Sequence, residues 1–161
     1  MGPHDAGEGI TRPSGLVAEG LFTGKKRLAL FLPVANCIGM VVYDKVHQVL
    51  GLSHLGRHSL LQQGGSETMR YMKDNFGTDA RDVQIWLSAA AGNDNYPLHD
   101  FDGRSMHEVA VEQLRIAGVQ RGGIAVDTRD TTTDLALFSH SEFLKDNRDT
   151  DGRQATVAMI V

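Results

Sequence analysis

Cys37 and His54 carry the two side-chain types, a thiol and an imidazole, that together make half of a zinc site. Pro33-Val34-Ala35-Asn36-Cys37 leads into a strand-like Ile38–Tyr43, a polar turn around Asp44-Lys45, a second strand starting at His47, and then Ser53-His54-Leu55-Gly56-Arg57-His58. With the turn centred between Lys45 and Val46, residues whose numbers sum to 91 face each other across a β-hairpin, and Cys37 falls opposite His54. Directly opposed residues have Cα atoms about 4.5–5.5 Å apart. At that separation one metal ion can bridge sulfur at about 2.3 Å and nitrogen at about 2.0–2.1 Å. Spacing alone leaves the plainer readings open. A lone free cysteine commonly behaves as a small buried hydrophobe, a hairpin-end histidine is commonly solvated, and zinc takes three or four protein ligands. Cys37 is the chain's one cysteine, so no internal disulfide framework exists.

The elements around this pair read as follows. Leu28 to Leu32 is a short apolar run that Pro33 ends, a buried strand by pattern. The hairpin occupies 38–43 and 47–53. From Ser59 the period changes, with Leu61, Gly65, Met69, Met72 and Phe76 at helical spacing and Gly77 as the stop. Gly64-Gly65 weakens that helix by ~1 kcal/mol per glycine against alanine, so it either starts late or packs its first turn tightly. Val83 to Leu87 reads as a strand and Asn93 to Pro97 as a loop. Ser105 and Glu108 form a capping box before the apolar stripe Met106, Val109, Ala110, Leu114 and Ala117, which Gly118 closes. His107, in the first turn of that helix, reads as an exposed polar position. Gly122 to Asp127 and Leu135 to Phe138 are short strand candidates, and Gln154 to Val161 is a final apolar strand. Strands and helices interleave without a strict βαβ rhythm, which implies an α+β fold with a mixed sheet.

At 161 residues the chain is expected to form a single domain, 1–161, that folds without a metal or disulfide. The net charge is −4 and basic residues are dispersed, the longest cluster being Lys25-Lys26-Arg27, so nucleic acid is not an expected partner. No apolar run reaches the ~18 residues of a membrane span. The glycine-rich, acidic Met1–Gly9 lacks a signal-peptide pattern, so a cytoplasmic protein is expected.

In order along the chain, Ala35-Asn36-Cys37, His54-Leu55-Gly56-Arg57, Trp86-Leu87-Ser88-Ala89-Ala90-Ala91-Gly92, Gly118-Val119, Asp127-Thr128, Phe138-Ser139-His140 and Gly152-Arg153-Gln154-Ala155 form an informative set. The set resembles the laccase-domain, or polyphenol oxidoreductase, proteins of the YfiH-like group, also described as peptidoglycan editing factors and purine nucleoside phosphorylases. The resemblance runs from about Asp5 to Val161. It implies layered mixed β-sheets flanked by helices, and zinc held by Cys37, His54 and a third ligand. It also implies a small-molecule substrate: phosphorolysis of adenosine or inosine with phosphate, a transferase reaction, and adenosine deamination as a related activity. Arg57 is the expected contact for phosphate, as the better bidentate partner, His58 is the expected spare ligand or acid/base group, and His140, where the family carries tyrosine, is a further catalytic candidate.

Three departures stand out. The family's third ligand, a histidine upstream of an Asp-Ala segment, has no counterpart before Asp5-Ala6 unless His4 or another histidine substitutes. The family's Trp-Arg after the glycine becomes Arg57-His58. Its paired arginines after Phe-Ser-Tyr become Ser141-Glu142. The expectation is therefore a compact member or one cut at its N-terminus. A peptidoglycan-precursor editing hydrolase and a non-catalytic homologue or partner subunit with an incomplete metal site are the alternatives. Multi-copper oxidation is disfavoured by a single cysteine and no His-x-His pair, although one such site also takes up adventitious copper.

Overall fold

The computed structural model describes Gly15 and residues 17–161. Its central sheet has five strands, β1 (Gly20–Thr23), β3 (Ile38–Asp44), β4 (Val49–Leu55), β5 (Val83–Leu87) and β6 (Ile124–Val126), in the order β1-β4-β3-β5-β6. Only the β5–β6 pair is parallel. A separate antiparallel ribbon joins β2 (Leu30–Val34) to β7 (Gln154–Ala158). Four helices complete the described chain: α1 (Arg57–Leu61), α2 (Gly64–Phe76), α3 (Met106–Ile116) and α4 (His140–Leu144).

Period-two alternation sorts β3 and β4 between two apolar layers. Ile38, Met40 and Val42 on one face join Met69 and Met72 of α2 and Val109, Ala110 and Leu114 of α3 in the main core. On the opposite face Val41, Tyr43, Leu50 and Leu52 meet Leu30 and Leu32 of the ribbon and Ile160. The order is helices, sheet, ribbon. Cys37 and His54 belong to the ribbon-side face. Ala35-Asn36-Cys37, the bend that carries the chain from β2 into β3, is the corner between the two sheets.

Local signals explain much of this. The Ser105–Glu108 capping box forms as expected: Ser105 Oγ accepts from Glu108 N, and Ser105 N donates to Glu108 Oε2 at 2.8 Å. Four expectations need correction. The helix expected from Ser59 begins at Arg57 and breaks at Gln63, whose φ is +59°, before restarting at Gly64. Gln113 of α3 splints the break, its Nε2 donating to Leu60 O at 2.7 Å and its Oε1 accepting from Gly65 N at 3.0 Å. That close approach needs a glycine, since a Cβ on Gly65 would lie 3.1 Å from Gln113 Cβ. Pro33 does not end β2 but pairs with Ala155, which a strand with one free edge tolerates. Leu135–Phe138 is a turn, closed by Ala136 N donating to Asp134 Oδ1 at 2.9 Å, with Leu135 exposed. The fourth correction, the hairpin register, concerns the site. Among the described residues no helix is long and apolar enough to cross a membrane.

Candidate functional site

The hairpin turn spans Lys45–Gln48 rather than centring before Val46. Asp44 Oδ1 accepts from Val46 N and His47 N, Gln48 takes φ +54°, and Asp44 pairs with Val49. Ile38 then faces Leu55 and Gly39 faces His54. Continued past the strand end, this register sets Cys37 against Gly56. The slip changes the sum of paired numbers by two and so preserves parity. Cys37 and His54 stay on one face, as diagonal neighbours rather than direct partners. Gly56 lets them meet. A Cβ there would lie 2.8 Å from Cys37 Sγ and 3.1 and 3.2 Å from His54 Cε1 and Nε2.

His54 is held from both sides. Its Nδ1 lies 2.6 Å from Glu19 Oε2, and its backbone N donates to Glu19 O at 2.8 Å. The hydrogen bond with Cys37 pushes the imidazole pKa up to about 9; burial works against this and Glu19 adds to it. A carboxylate on one ring nitrogen and a thiol at the other is the arrangement that fixes a metal-binding histidine in its tautomer.

Cys37 and His54 wall a cleft of about 300 Å³ together with Asn36, Tyr96, His140, Ser141 and Arg153, with buried Val34 and the exposed Leu144 as its apolar lining. Buried Asn36 assembles much of it. Its Nδ2 donates to Ser139 Oγ at 2.8 Å, and its Oδ1 accepts from Ser141 N at 2.8 Å, pinning the start of α4 beside Cys37. Asn36 O also accepts from Ala91 N at 2.8 Å, which ties in the Trp86–Gly92 stretch. Gln154 Nε2 donates to Ala35 O at 2.8 Å, anchoring the start of β7 to the same corner. A second cleft, of about 500 Å³, lies beyond His54, lined by Glu19, Phe22, Glu67, Arg70, Tyr71 and Asp74.

The structure thus brings Cys37, His54 and His140 together. Arg57 and His58 stand exposed in the first turn of α1 and line neither cleft. His107 is half-buried, its Nε2 2.8 Å from Ser88 O, rather than a free surface group. Sequence reasoning missed Glu19, Asn36, Tyr96 and Arg153 as site residues. Asn36 and Arg153 lay inside quoted motifs, while nothing local marked Glu19, which meets His54 across 35 positions.

As metal ligands, Cys37 and His54 fit zinc by donor type, with Glu19 as the outer partner of the imidazole. Among the described residues no group of three His, Cys, Asp or Glu side chains is placed to hold a metal. His4, the substitute considered for the third ligand, lies outside the described residues.

A family model described as multi-copper polyphenol oxidoreductase laccase matches residues 6–101, more than half of the sequence. The chain belongs to this family. Its fold is also that of YfiH from Bacillus licheniformis, at a TM-score of 0.79 and 22% identity over 89% of this chain and 61% of that one. YlmD from Geobacillus stearothermophilus superposes at 0.78 with 21% identity and the same coverage. The purine nucleoside phosphorylase YlmD of Bacillus subtilis is 24% identical over 82 residues, 51% of this chain and 30% of that protein. This laccase-family chain therefore spans less than two thirds of these relatives. The family match holds the motifs from Ala35 to Gly92; those from Asp127 to Ala155 lie beyond it, where the likeness is one of fold.

Proposed function

We propose that the chain is a zinc-dependent purine nucleoside phosphorylase-type enzyme that releases the base of adenosine or inosine with phosphate as acceptor, with adenosine deamination as a related activity. In phosphorolysis the glycosidic C–N bond breaks, a bond forms between the sugar carbon and a phosphate oxygen, and the departing base takes a proton. The observation that carries the reading is the meeting of Cys37, His54, His140 and Arg153 at one cleft of about 300 Å³, a size suited to a small polar ligand. When bound, zinc would polarise a reacting oxygen and lower the pKa of a bound water toward ~7. The chain's own residues hold and orient. Glu19 fixes the His54 ring through Nδ1, Tyr96 offers a flat wall for a base, and Val34 lends the cleft an apolar surface. His140 presents its imidazole to the cleft, with Nδ1 2.9 Å from Asp151 Oδ1. The name of the B. subtilis relative supports the substrate class.

The test is metal content and base release, measured together on the full chain and on Cys37→Ala with inosine and phosphate. About one zinc per chain, lost with Cys37 along with base release, is the expected result; a zinc-loaded wild type without turnover overturns it. That no third side chain among the described residues is placed to join Cys37 and His54 on one metal favours a second reading, a non-catalytic homologue or a subunit whose third ligand comes from a partner. A folded wild type that never retains zinc supports that reading.

A further inference from the structure

We infer that Arg153 and His140, both braced by Asp151, form the oxyanion subsite of the Cys37 cleft and that it takes inorganic phosphate. The inference rests on the reading of that cleft as a phosphorolytic site, and it replaces Arg57, which lies outside the cleft, as the anion contact. Among the described residues, Arg153 is the only Lys or Arg in the cleft wall, and no carboxylate of theirs lines it. Asp151 sits behind, one oxygen accepting from Arg153 Nη1 at 2.5 Å and lying 2.9 Å from His140 Nδ1. Arg153 Nη1 also donates to Gly152 O at 2.7 Å. One carboxylate thereby immobilises two cleft side chains without itself entering the wall.

The decisive feature is the unused edge of the guanidinium. The group has five donors, and its Nε–Nη2 edge is the fork that matches a carboxylate or phosphate. Arg70, Arg81 and Arg129 each commit that edge to a carboxylate of their own, Glu67, Asp79 and Asp127. Arg153 is bonded through Nη1 alone among the described residues, which leaves the fork open at a cleft without competing carboxylates. The bond from Gln154 to Ala35 O keeps this arginine's strand registered to the Cys37 bend. Glu142 is turned away, bonded to Lys145 Nζ at 2.8 Å and Asn147 Nδ2 at 2.7 Å.

A phosphate group could arrive free or as part of a nucleoside monophosphate, and the experiment separates them. Binding of inorganic phosphate, and separately of adenosine monophosphate, is measured by calorimetry on the full chain, on Arg153→Gln and on Arg57→Gln. Folding of each is checked by circular dichroism. Phosphate affinity is expected to fall by about tenfold or more in Arg153→Gln and to change less than about twofold in Arg57→Gln, as loss of a charge-assisted bidentate contact predicts. Where the wild type turns over inosine, the phosphate KM should rise in Arg153→Gln while the inosine KM holds. Equal phosphate binding by wild type and Arg153→Gln overturns the subsite and leaves the phosphorylase reading standing. Arg153-dependent phosphate binding without base release does the reverse. Arg153-dependent binding of the monophosphate alone overturns inorganic phosphate as the ligand, and binding of neither anion overturns the subsite altogether.

Discussion

The clefts on either side of His54 share that histidine and differ in almost everything else. The smaller, at its Nε2 side, has a thiol, a second imidazole and an arginine with an open fork, and no carboxylate in its wall. The larger, at its Nδ1 side, has Glu19, Glu67 and Asp74, and its one arginine, Arg70, is already bound to Glu67. Its floor is aromatic, with Phe22 and Tyr71 ring centroids 4.7 Å apart. The imidazole is thus a partition that faces carboxylates through one nitrogen and a soft ligand through the other. Size would point to the larger cleft as the reaction site. Side-chain chemistry points to the smaller, because an anion would meet repulsion from three carboxylates in the larger one.

The contrast can be broken most severely at Gly56. Gly56→Ala forces Cys37 Sγ away from a Cβ that would lie 2.8 Å from it, and Sγ can escape by rotating off His54. Zinc retention and base release should both be lost, while urea denaturation shows a cost of no more than ~1–3 kcal/mol. Gln113→Ala attacks the scaffold behind the larger cleft instead, stranding Gly65 N without a partner and leaving Leu60 O only the bond from Gln63 N. It should destabilise the fold by ~2–4 kcal/mol in urea denaturation while the folded protein keeps its zinc. Equal zinc loss in both variants would mean that the two clefts are not independent.

Glu19→Gln sharpens the partition itself. It removes the charge at His54 Nδ1 while keeping a hydrogen-bonding side chain, and zinc affinity from competition with a chelator should fall by about tenfold. An unchanged affinity would make Glu19 a bystander. The smallest effect belongs to Asp151, whose carboxyl Arg153, and then His140, hold below the usual carboxylate range. A depressed folded pKa stabilises above the unfolded value and is lost as pH falls through the folded one. The thermal midpoint of the wild type should therefore exceed that of Asp151→Asn above about pH 4, with the gap closing at lower pH. A gap that widens on acidification would contradict the brace.

The legible parts were those with local causes. The Ser105–Glu108 box marked α3, and the strand-like runs at 38–43, 47–53 and 83–87 marked β3, β4 and β5. The hairpin register was not legible, because the turn places Gln48 in the left-handed region where no Gly or Asn announces it. Cys37 and His54 stay on one face despite that error through parity, which a change of two in the pairing sum leaves intact. Arg57 was misjudged for the opposite reason. Its position next to the motif histidine was right in sequence, yet the first turn of α1 leaves it exposed and outside the cleft.

By itself the sequence determined that a thiol and an imidazole share one face of a hairpin, and that the chain interleaves strands with helices, one of them marked by its cap. Each follows from spacing over a few residues. Only the tertiary structure decided what surrounds the pair. Asn36 reaches Ser141 across 105 positions, and Gln154 reaches Ala35 across 119. Such contacts exist only once the ribbon has packed over the sheet, and that packing, rather than any local pattern, brought Arg153 to the cleft of Cys37 and set Glu19, Glu67 and Asp74 on the far side of His54.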